Sequence, residues 1–480
     1  MSENFWGRRR EIARLEQELG RIAETGRGRM VAVRGRRQAG KSRLLTHLVE
    51  SSGLPYLYIT AVRNAPPSTQ LHHAATALTA SRSPLPHLDT AFAVPPASWP
   101  DFFARLPLAL GDSPAILVLD EFPWATETDP ILEGLLQNAW DHSLERRPIL
   151  FVLVGSDMAM MERLTEHDRP LFGRASEMVV SPLNPSECAE ALGRDRPALD
   201  LLDAFLVTGG YPRLVLEARG YRTAQAFVNE QLRDENSDLA VVAQRVLDAE
   251  FRTDLQARSV LEAIGATELG HANFTSTVAL LGGDGAAQTA VTRALEPLER
   301  VKRVIAIDQP VGSRPNTRLR RYRVADPYLR FWFRFVGAHL DDIARGRSDL
   351  AVRRYERGWS SWRGKAIEPV VHEAVSRLAR TEPEFAGVSR VGGWWERTGK
   401  HEVDVVGADE RRAVRLIGAV KWRPRKAVTR AELEALAQAR AMIPRAAAAR
   451  LLVVSPAGGR SDASPDILLK AEDILAAFVE

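Results

Sequence analysis

Eight residues, Gly35-Arg36-Arg37-Gln38-Ala39-Gly40-Lys41-Ser42, constrain this chain more than any others. They follow the apolar run Met30–Arg34 directly and open an amphipathic stretch that begins with Arg43. Glycines at the ends of such a loop let backbone N–H groups close on an anion, and a helix starting there adds the positive end of its dipole. The spacing is that of a Walker A loop, in the strand-loop-helix context that gives the match its meaning. Lys41 is placed to reach the β- and γ-phosphates and Ser42 to ligate a metal, so ATP and Mg2+ are the expected ligands. A chain organised around this loop is expected to be α/β with a parallel sheet. Leu57–Thr60, Ala115–Leu119 and Ile149–Val154 supply further short apolar runs of the kind that strands buried on both faces require.

With 480 residues the chain is long enough for two to four domains. Its 45% hydrophobic and 26% charged content excludes collagen-like, mucin-like and globally disordered readings. No apolar run reaches the roughly 18 residues of a membrane span, and the start, MSENFWGRRREIARLEQEL, turns basic before a leader core forms, so a cytoplasmic protein is expected. Cys188 is the lone cysteine, which excludes an internal disulfide and a zinc finger. Lys and Arg total 65 against 61 acids, a slight excess carried mostly by Arg, and its placement rather than its size has to decide whether nucleic acid is a partner.

The run Ala115–Leu119 ends in Asp120-Glu121. Acids at the carboxyl edge of a parallel strand face the crevice where such sheets bind ligands. Asp120 would hold Mg2+, and Glu121 would polarise the attacking water. The next run, Ile149–Val154, leads into Gly155-Ser156, where Ser156 can bond the γ-phosphate or the water, or else cap a helix. Arg174, after the turn Leu171-Phe-Gly173, can serve a neighbouring subunit's γ-phosphate or a surface ion pair.

Past Leu183 the strands stop and helices continue to about Glu250, beginning with the start motif Asn184-Pro185. From Ser259 to Val324 three short helices precede two strands, Val301–Ile307 and Leu319–Val324, around a Gly/Pro/Arg-rich hairpin. That order resembles a winged helix-turn-helix. Arg303, Arg318, Arg320, Arg321 and Arg323 on this wing are expected to contact DNA phosphates, which would make binding strongly salt-dependent. From Gly364 onward the order is helix, three strands, helix, strand.

Taken together, Phe5-Trp-Gly7-Arg8-Arg-Arg-Glu11, the loop and acid pair above, Gly155-Ser156, Leu171-Phe-Gly-Arg174 and Gly209-Gly210-Tyr211-Pro212 resemble the archaeal-type ATPase family. That family lies in the STAND branch of P-loop ATPases, near AAA+ proteins. The resemblance implies that Gly7, Arg8 and Glu11 pack near the nucleotide base and that Gly210 and Pro212, on a helical lid, touch the phosphates. Here the first box reads Gly-Arg-Arg-Arg-Glu in place of the family's Gly-Arg-Glu. Self-association is implied as well. Tyr322-Arg-Val-Ala-Asp326-Pro327-Tyr-Leu-Arg330-Phe331-Trp332-Phe-Arg-Phe335 is similar to the segment that leads these ATPases into a restriction-endonuclease-like domain, although its aromatics, at helical spacing, read as core.

The implied division is a P-loop core over 1–181, a helical lid over 182–255, a winged helix and connector over 256–345, and a PD-(D/E)XK nuclease-like domain over 346–480. In the last of these, Glu368 and Asp404 would hold metal, with Glu402 on the same strand face as Asp404, and Lys421 would complete the site. Ala419 stands where the family has a Glu. Three readings are open: a degenerate domain that only binds DNA or protein, a replacement that traps substrate, or an acid from the next helix, Glu432 or Glu434, filling the gap. ATPase activity coupled to DNA, with weak or absent cleavage, is the first expectation. The second is a nucleotide-dependent switch that assembles with protein partners.

Overall fold

A computed structural model describes residues 5–252, 254–267, 271–314 and 319–479. The chain forms two compact units, Met1–Pro182 and Leu183–Glu480.

The first unit is built on five strands: β1 (Arg29–Arg34), β2 (Tyr56–Thr60), β3 (Ala115–Asp120), β4 (Ile149–Gly155) and β5 (Ala175–Val179). Their order across the sheet is β2-β3-β4-β1-β5, and every pairing is parallel. Each residue of β3 and β4 is buried, as continuous apolar runs require when helices cover both faces. Strand alternation sorts these side chains into two cores. Val31, Val33, Val118 and Val152 meet Leu15 and Ile22 of the helix Arg9–Thr25 and Leu44 and Leu48 of the helix Lys41–Ser51. Ala32, Leu117, Phe151 and Leu153 meet Phe102, Phe103, Leu136 and Trp140 on the other face.

The register aligns the carboxyl ends: Arg34 stands beside Gly155, and Thr60 beside Asp120. The Gly35 loop, Asp120-Glu121 and Ser156 therefore all emerge at one edge, with β4 between the loop strand β1 and the acid strand β3. Gly35 is required by crowding, since a Cβ there would lie 2.2 Å from the Val180 carbonyl oxygen. Gly35→Ala should cost roughly 2 kcal/mol or more of stability, because the opposing atom is backbone and cannot swing aside. A urea midpoint equal to that of the parent chain would refute this.

The second unit begins with helices. Asn184 caps the helix Pro185–Leu192 in a reciprocal capping box with Glu187, as its start motif leads one to expect. Gly209 and Gly210 both take positive φ in the turn before Pro212, and a Cβ on Gly210 would lie 1.9 Å from the Leu183 carbonyl oxygen. Three helices, Leu255–Gly265, Phe274–Leu280 and Gly285–Glu296, then precede an antiparallel pair, β6 (Ile305–Asp308) and β7 (Arg321–Val324). The helix Pro327–Phe335 buries Tyr328, Phe331 and Phe335 completely, and Phe331 and Phe335 pack on Tyr355 and Trp362 of the helix Ser348–Ala366.

The remainder is a mixed sheet of β8 (Arg390–Trp395), β9 (Glu402–Ala408), β10 (Val414–Val420), β11 (Arg450–Val454) and β12 (Ile467–Leu469), in the order β12-β11-β10-β9-β8. Pairs β8/β9 and β9/β10 are antiparallel, while β10/β11 and β11/β12 are parallel. The helix Glu368–Thr381 precedes this sheet, and Arg430–Ala439 joins β10 to β11. Among the described residues no helix is long and apolar enough to cross a membrane.

Candidate functional site

The loop after β1 turns through positive φ at Gln38 and Gly40, and the helix Lys41–Ser51 starts with no side-chain cap. Its first-turn N–H groups have no intrahelical acceptor and face the end of the sheet. Lys41 is buried, and its ammonium rests on the Gly35 and Arg36 carbonyls at 2.7 and 3.1 Å. Arg43 points into solvent.

Asp120, 4% exposed, takes a 2.7 Å hydrogen bond from the Tyr58 hydroxyl and one of 3.0 Å from the Glu121 amide. Ser42 and Thr46 also act on this hydroxyl, which places the Ser42 side chain near Asp120. Burial, reinforced by the Asp120 charge, pushes the phenol far up, so Tyr58 stays a neutral donor. A hydroxyl and a carboxylate gathered on one point suit a hard divalent cation such as Mg2+. Glu121 sits at positive φ, and its carboxylate accepts from the Ser156 hydroxyl at 2.9 Å and the Ser156 amide at 3.3 Å. Ser156 is therefore not a helix cap; Asp157 takes that position, accepting from the Met160 amide.

Arg8 occupies a structural position. Both Gly7 and Arg8 have positive φ, and the Arg8 guanidinium is buried, donating to the Ala39 and Ser181 carbonyls at 2.5 Å each and to Glu11 at 3.0 Å. It thus ties the Gly35 loop to the segment after β5. Arg174 lies just before β5, whose first residue pairs with Met30 near the start of β1, so it stands at the sheet edge opposite Lys41. Two 2.7 Å bonds hold it to Asp141, and that hydrogen bonding keeps the Asp141 carboxyl below its ordinary range. Gly210 and Pro212 belong to the second unit, in the turn already described.

In the second unit, Glu368, Glu402 and Asp404 bring carboxylate oxygens within 4.8 Å of one another. A Lys that the sequence reading passed over, Lys365, lies among them: its ammonium is 2.9 Å from Glu368, 2.9 Å from Glu402 and 3.5 Å from Asp404. Asp404 also accepts from the Val420 amide at 2.9 Å, and its carbonyl bonds His372 at 2.7 Å. Lys421 is not among the residues lining this cavity of about 420 Å³, and its amide donates to Val454. The register of β9 on β10 pairs Val405 with Gly418, and one further step sets Ala419 opposite Asp404, which leaves a methyl where another carboxylate would stand. Neither Glu432 nor Glu434 fills that place. Glu432 closes the capping box of its own helix and pairs with Arg423 at 2.9 Å, and Glu434 pairs with Arg430.

Burial, together with the Asp404 charge, pushes the Glu368 carboxyl up to about 7. A carboxyl raised in the folded state holds more protons there than in the unfolded chain between its ordinary 4.5 and about 7, so its contribution to stability is lost as pH climbs through that window. Glu368→Gln should therefore flatten the decline in urea midpoint from pH 5 to pH 7.5; an unchanged slope would count against the assignment.

The five wing arginines do not act as one surface. Arg318 lies outside the described residues. Arg321 and Arg323, two apart on β7, share one face and turn toward the cavity: Arg321 pairs with Glu402 at 3.1 Å and stacks 4.2 Å from the Trp395 ring centre, and Arg323 pairs with Asp308 at 2.7 Å. Tyr322, between them, is buried, its backbone bridged to Ala272. Arg303 is exposed and Arg320 half-buried. Strand alternation, not charge count, separates these roles.

Residues 5–218 match the family described as an ATPase domain predominantly from Archaea. Residues 332–434 match a family described as archaeal and bacterial proteins of unknown function. An uncharacterized protein of Methanocaldococcus jannaschii is 22% identical over 426 residues, 88% of each chain. The Walker-type ATPase of Pyrococcus abyssi has a similar fold, with a TM-score of 0.50 and 19% identity over 69% of this chain and 97% of its own.

Proposed function

We propose that this chain binds and hydrolyses ATP and couples its nucleotide state to DNA through a winged helix and a nuclease-like domain. One observation carries the ATPase reading: Lys41, Ser42, Asp120, Glu121 and Ser156 converge at a single sheet edge. In this reading the loop amides and Lys41 bind the phosphates, and Ser42 with Asp120 would hold Mg2+. That ion, when bound, neutralises charge on the β- and γ-phosphates. Ser156 fixes the carboxylate of Glu121, which sets where it can orient a water and accept its proton. Arg8 keeps the loop in its binding shape, and Gly210 and Pro212 are assigned to a lid.

For the second unit, 182–255 is proposed as that lid, 256–345 as the winged helix and connector, and 346–480 as a PD-(D/E)XK-like domain. Three helices followed by an antiparallel hairpin support the winged helix. Glu368, Glu402 and Asp404 offer the hard oxygen ligands a divalent cation needs, but Lys365 already lies among them and Ala419 withholds a fourth acid. This favours a domain that binds DNA rather than one that cuts it. Mg2+-dependent cleavage should be near background in the parent chain and rise in Ala419→Glu; no gain would show that more than this acid is missing. Self-association and a cytoplasmic setting complete the proposal.

The decisive experiment compares ATPase rates with and without single-stranded, double-stranded and branched DNA. Stimulation by DNA is expected. Nucleotide-dependent assembly with no response to DNA would instead support a switch that recruits protein partners.

A further inference from the structure

Every lysine and arginine lining the cavity beside Glu368 has a carboxylate partner except one. Arg321 pairs with Glu402, Arg323 with Asp308, and Lys365 with the three clustered acids. Arg330, from the aromatic helix Pro327–Phe335, is 7% exposed and has no carboxylate partner among the described residues. Among the described residues, its two terminal nitrogens reach only the Ala366 and Lys365 carbonyls, at 3.5 and 3.4 Å, and its Nε has no hydrogen-bond partner. Burying a guanidinium without an ion partner is costly, and burial draws this one down to about 10. The planar fork matches two oxygens of a phosphate, and a cavity of about 420 Å³ lies within the range of ordinary small-ligand sites.

We propose that this cavity binds a phosphate group, anchored by Arg330, and that the phosphate belongs to a nucleic-acid strand. The choice of a strand rests on the functional reading above; the anion site does not. The hairpin that walls the cavity also carries Arg314 in solvent, which suits an extended polyanion entering along it better than an isolated ion. Arg330 thus works alongside, not within, the acid cluster: the three carboxylates are already neutralised in part by Lys365, and the phosphate finds its positive partner on the connector helix.

The test uses the full chain. In a Lys41→Ala background, which silences the nucleotide loop, inorganic phosphate should raise the melting temperature, and adding R330Q should remove that rise. Binding of a fluorescent single-stranded DNA should weaken tenfold or more in R330Q, with the salt slope falling by about one, and R330K should recover part of the affinity. A folded R330Q with unchanged phosphate protection and unchanged strand affinity overturns the site. Arg330-dependent protection with unchanged strand affinity assigns the site to free phosphate or a mononucleotide and overturns the strand. If R320Q weakens DNA binding while R330Q does not, the functional reading stands and this inference falls. Should R330Q fail to fold, R330K carries the test, because it keeps the charge and loses the fork: undiminished protection and affinity in R330K overturn the bidentate anchor.

Discussion

Lys41→Ala should abolish detectable nucleotide binding while leaving the fold intact. The ammonium is buried at the mouth of the loop and rests on the Gly35 and Arg36 carbonyls, so an arriving phosphate meets a positive charge already held in place. Removing one member of a buried charge contact costs about 3–5 kcal/mol, which corresponds to a loss of roughly a hundredfold to several thousandfold in affinity. The buried Gly35 carbonyl loses its donor, so the urea midpoint should fall modestly while the circular dichroism spectrum stays that of the folded chain. Calorimetric titration with ATP is the measurement. Affinity within threefold of the parent would show that the loop does not hold phosphate in the manner argued.

Glu121→Gln should separate binding from hydrolysis. The amide keeps the shape and can still accept from the Ser156 hydroxyl, so nucleotide affinity should stay near that of the parent. It cannot take a proton from water, and loss of a general base lowers rates by about 10²–10⁴. Ser156→Ala should fall between the two, since it frees the Glu121 carboxylate without removing it. A Glu121→Gln chain that turns over ATP at the parental rate would remove Glu121 from the mechanism. The Tyr58 hydroxyl offers a control: Tyr58→Phe removes one bond to Asp120 and should act on Mg2+ dependence more than on ATP affinity.

Much of this edge is legible in the sequence because its strands are buried on both faces. Runs such as Ile149–Val154 have no polar side to confuse their period, and loop and acids follow directly from them. Strand β5 escapes that reasoning because it is an edge strand: Ser176 and Glu177 are exposed, and no continuous apolar run survives. Tyr58 escapes it for another reason. An aromatic in a strand reads as packing, and only the tertiary register that sets β2 beside β3 brings its hydroxyl to Asp120. In the second unit, the family resemblance implies Glu368 and Asp404 but not Lys365, whose contacts depend on how two consecutive helices meet β9. The arginines of β7 show the limit of counting charge: their direction follows from which face of a four-residue strand the helices cover. The bonds by which Arg8 braces the Gly35 loop are equally illegible in its motif, since they join segments far apart in the chain.

Arg174 and Lys41 stand at opposite ends of strands that run about 17 Å from edge to edge. If Arg174 leaves Asp141 to serve a phosphate on another copy, the two surfaces that meet are different patches of the molecule. Unless both are made at once across one two-fold axis, contacts between unlike patches cannot close into a pair. They propagate head to tail, either into a ring in which every copy both gives and receives an arginine, or into an open filament whose last member is left with an incomplete site. Arg174→Ala mixed with Lys41→Ala would then restore hydrolysis only at junctions where an intact loop faces an intact arginine.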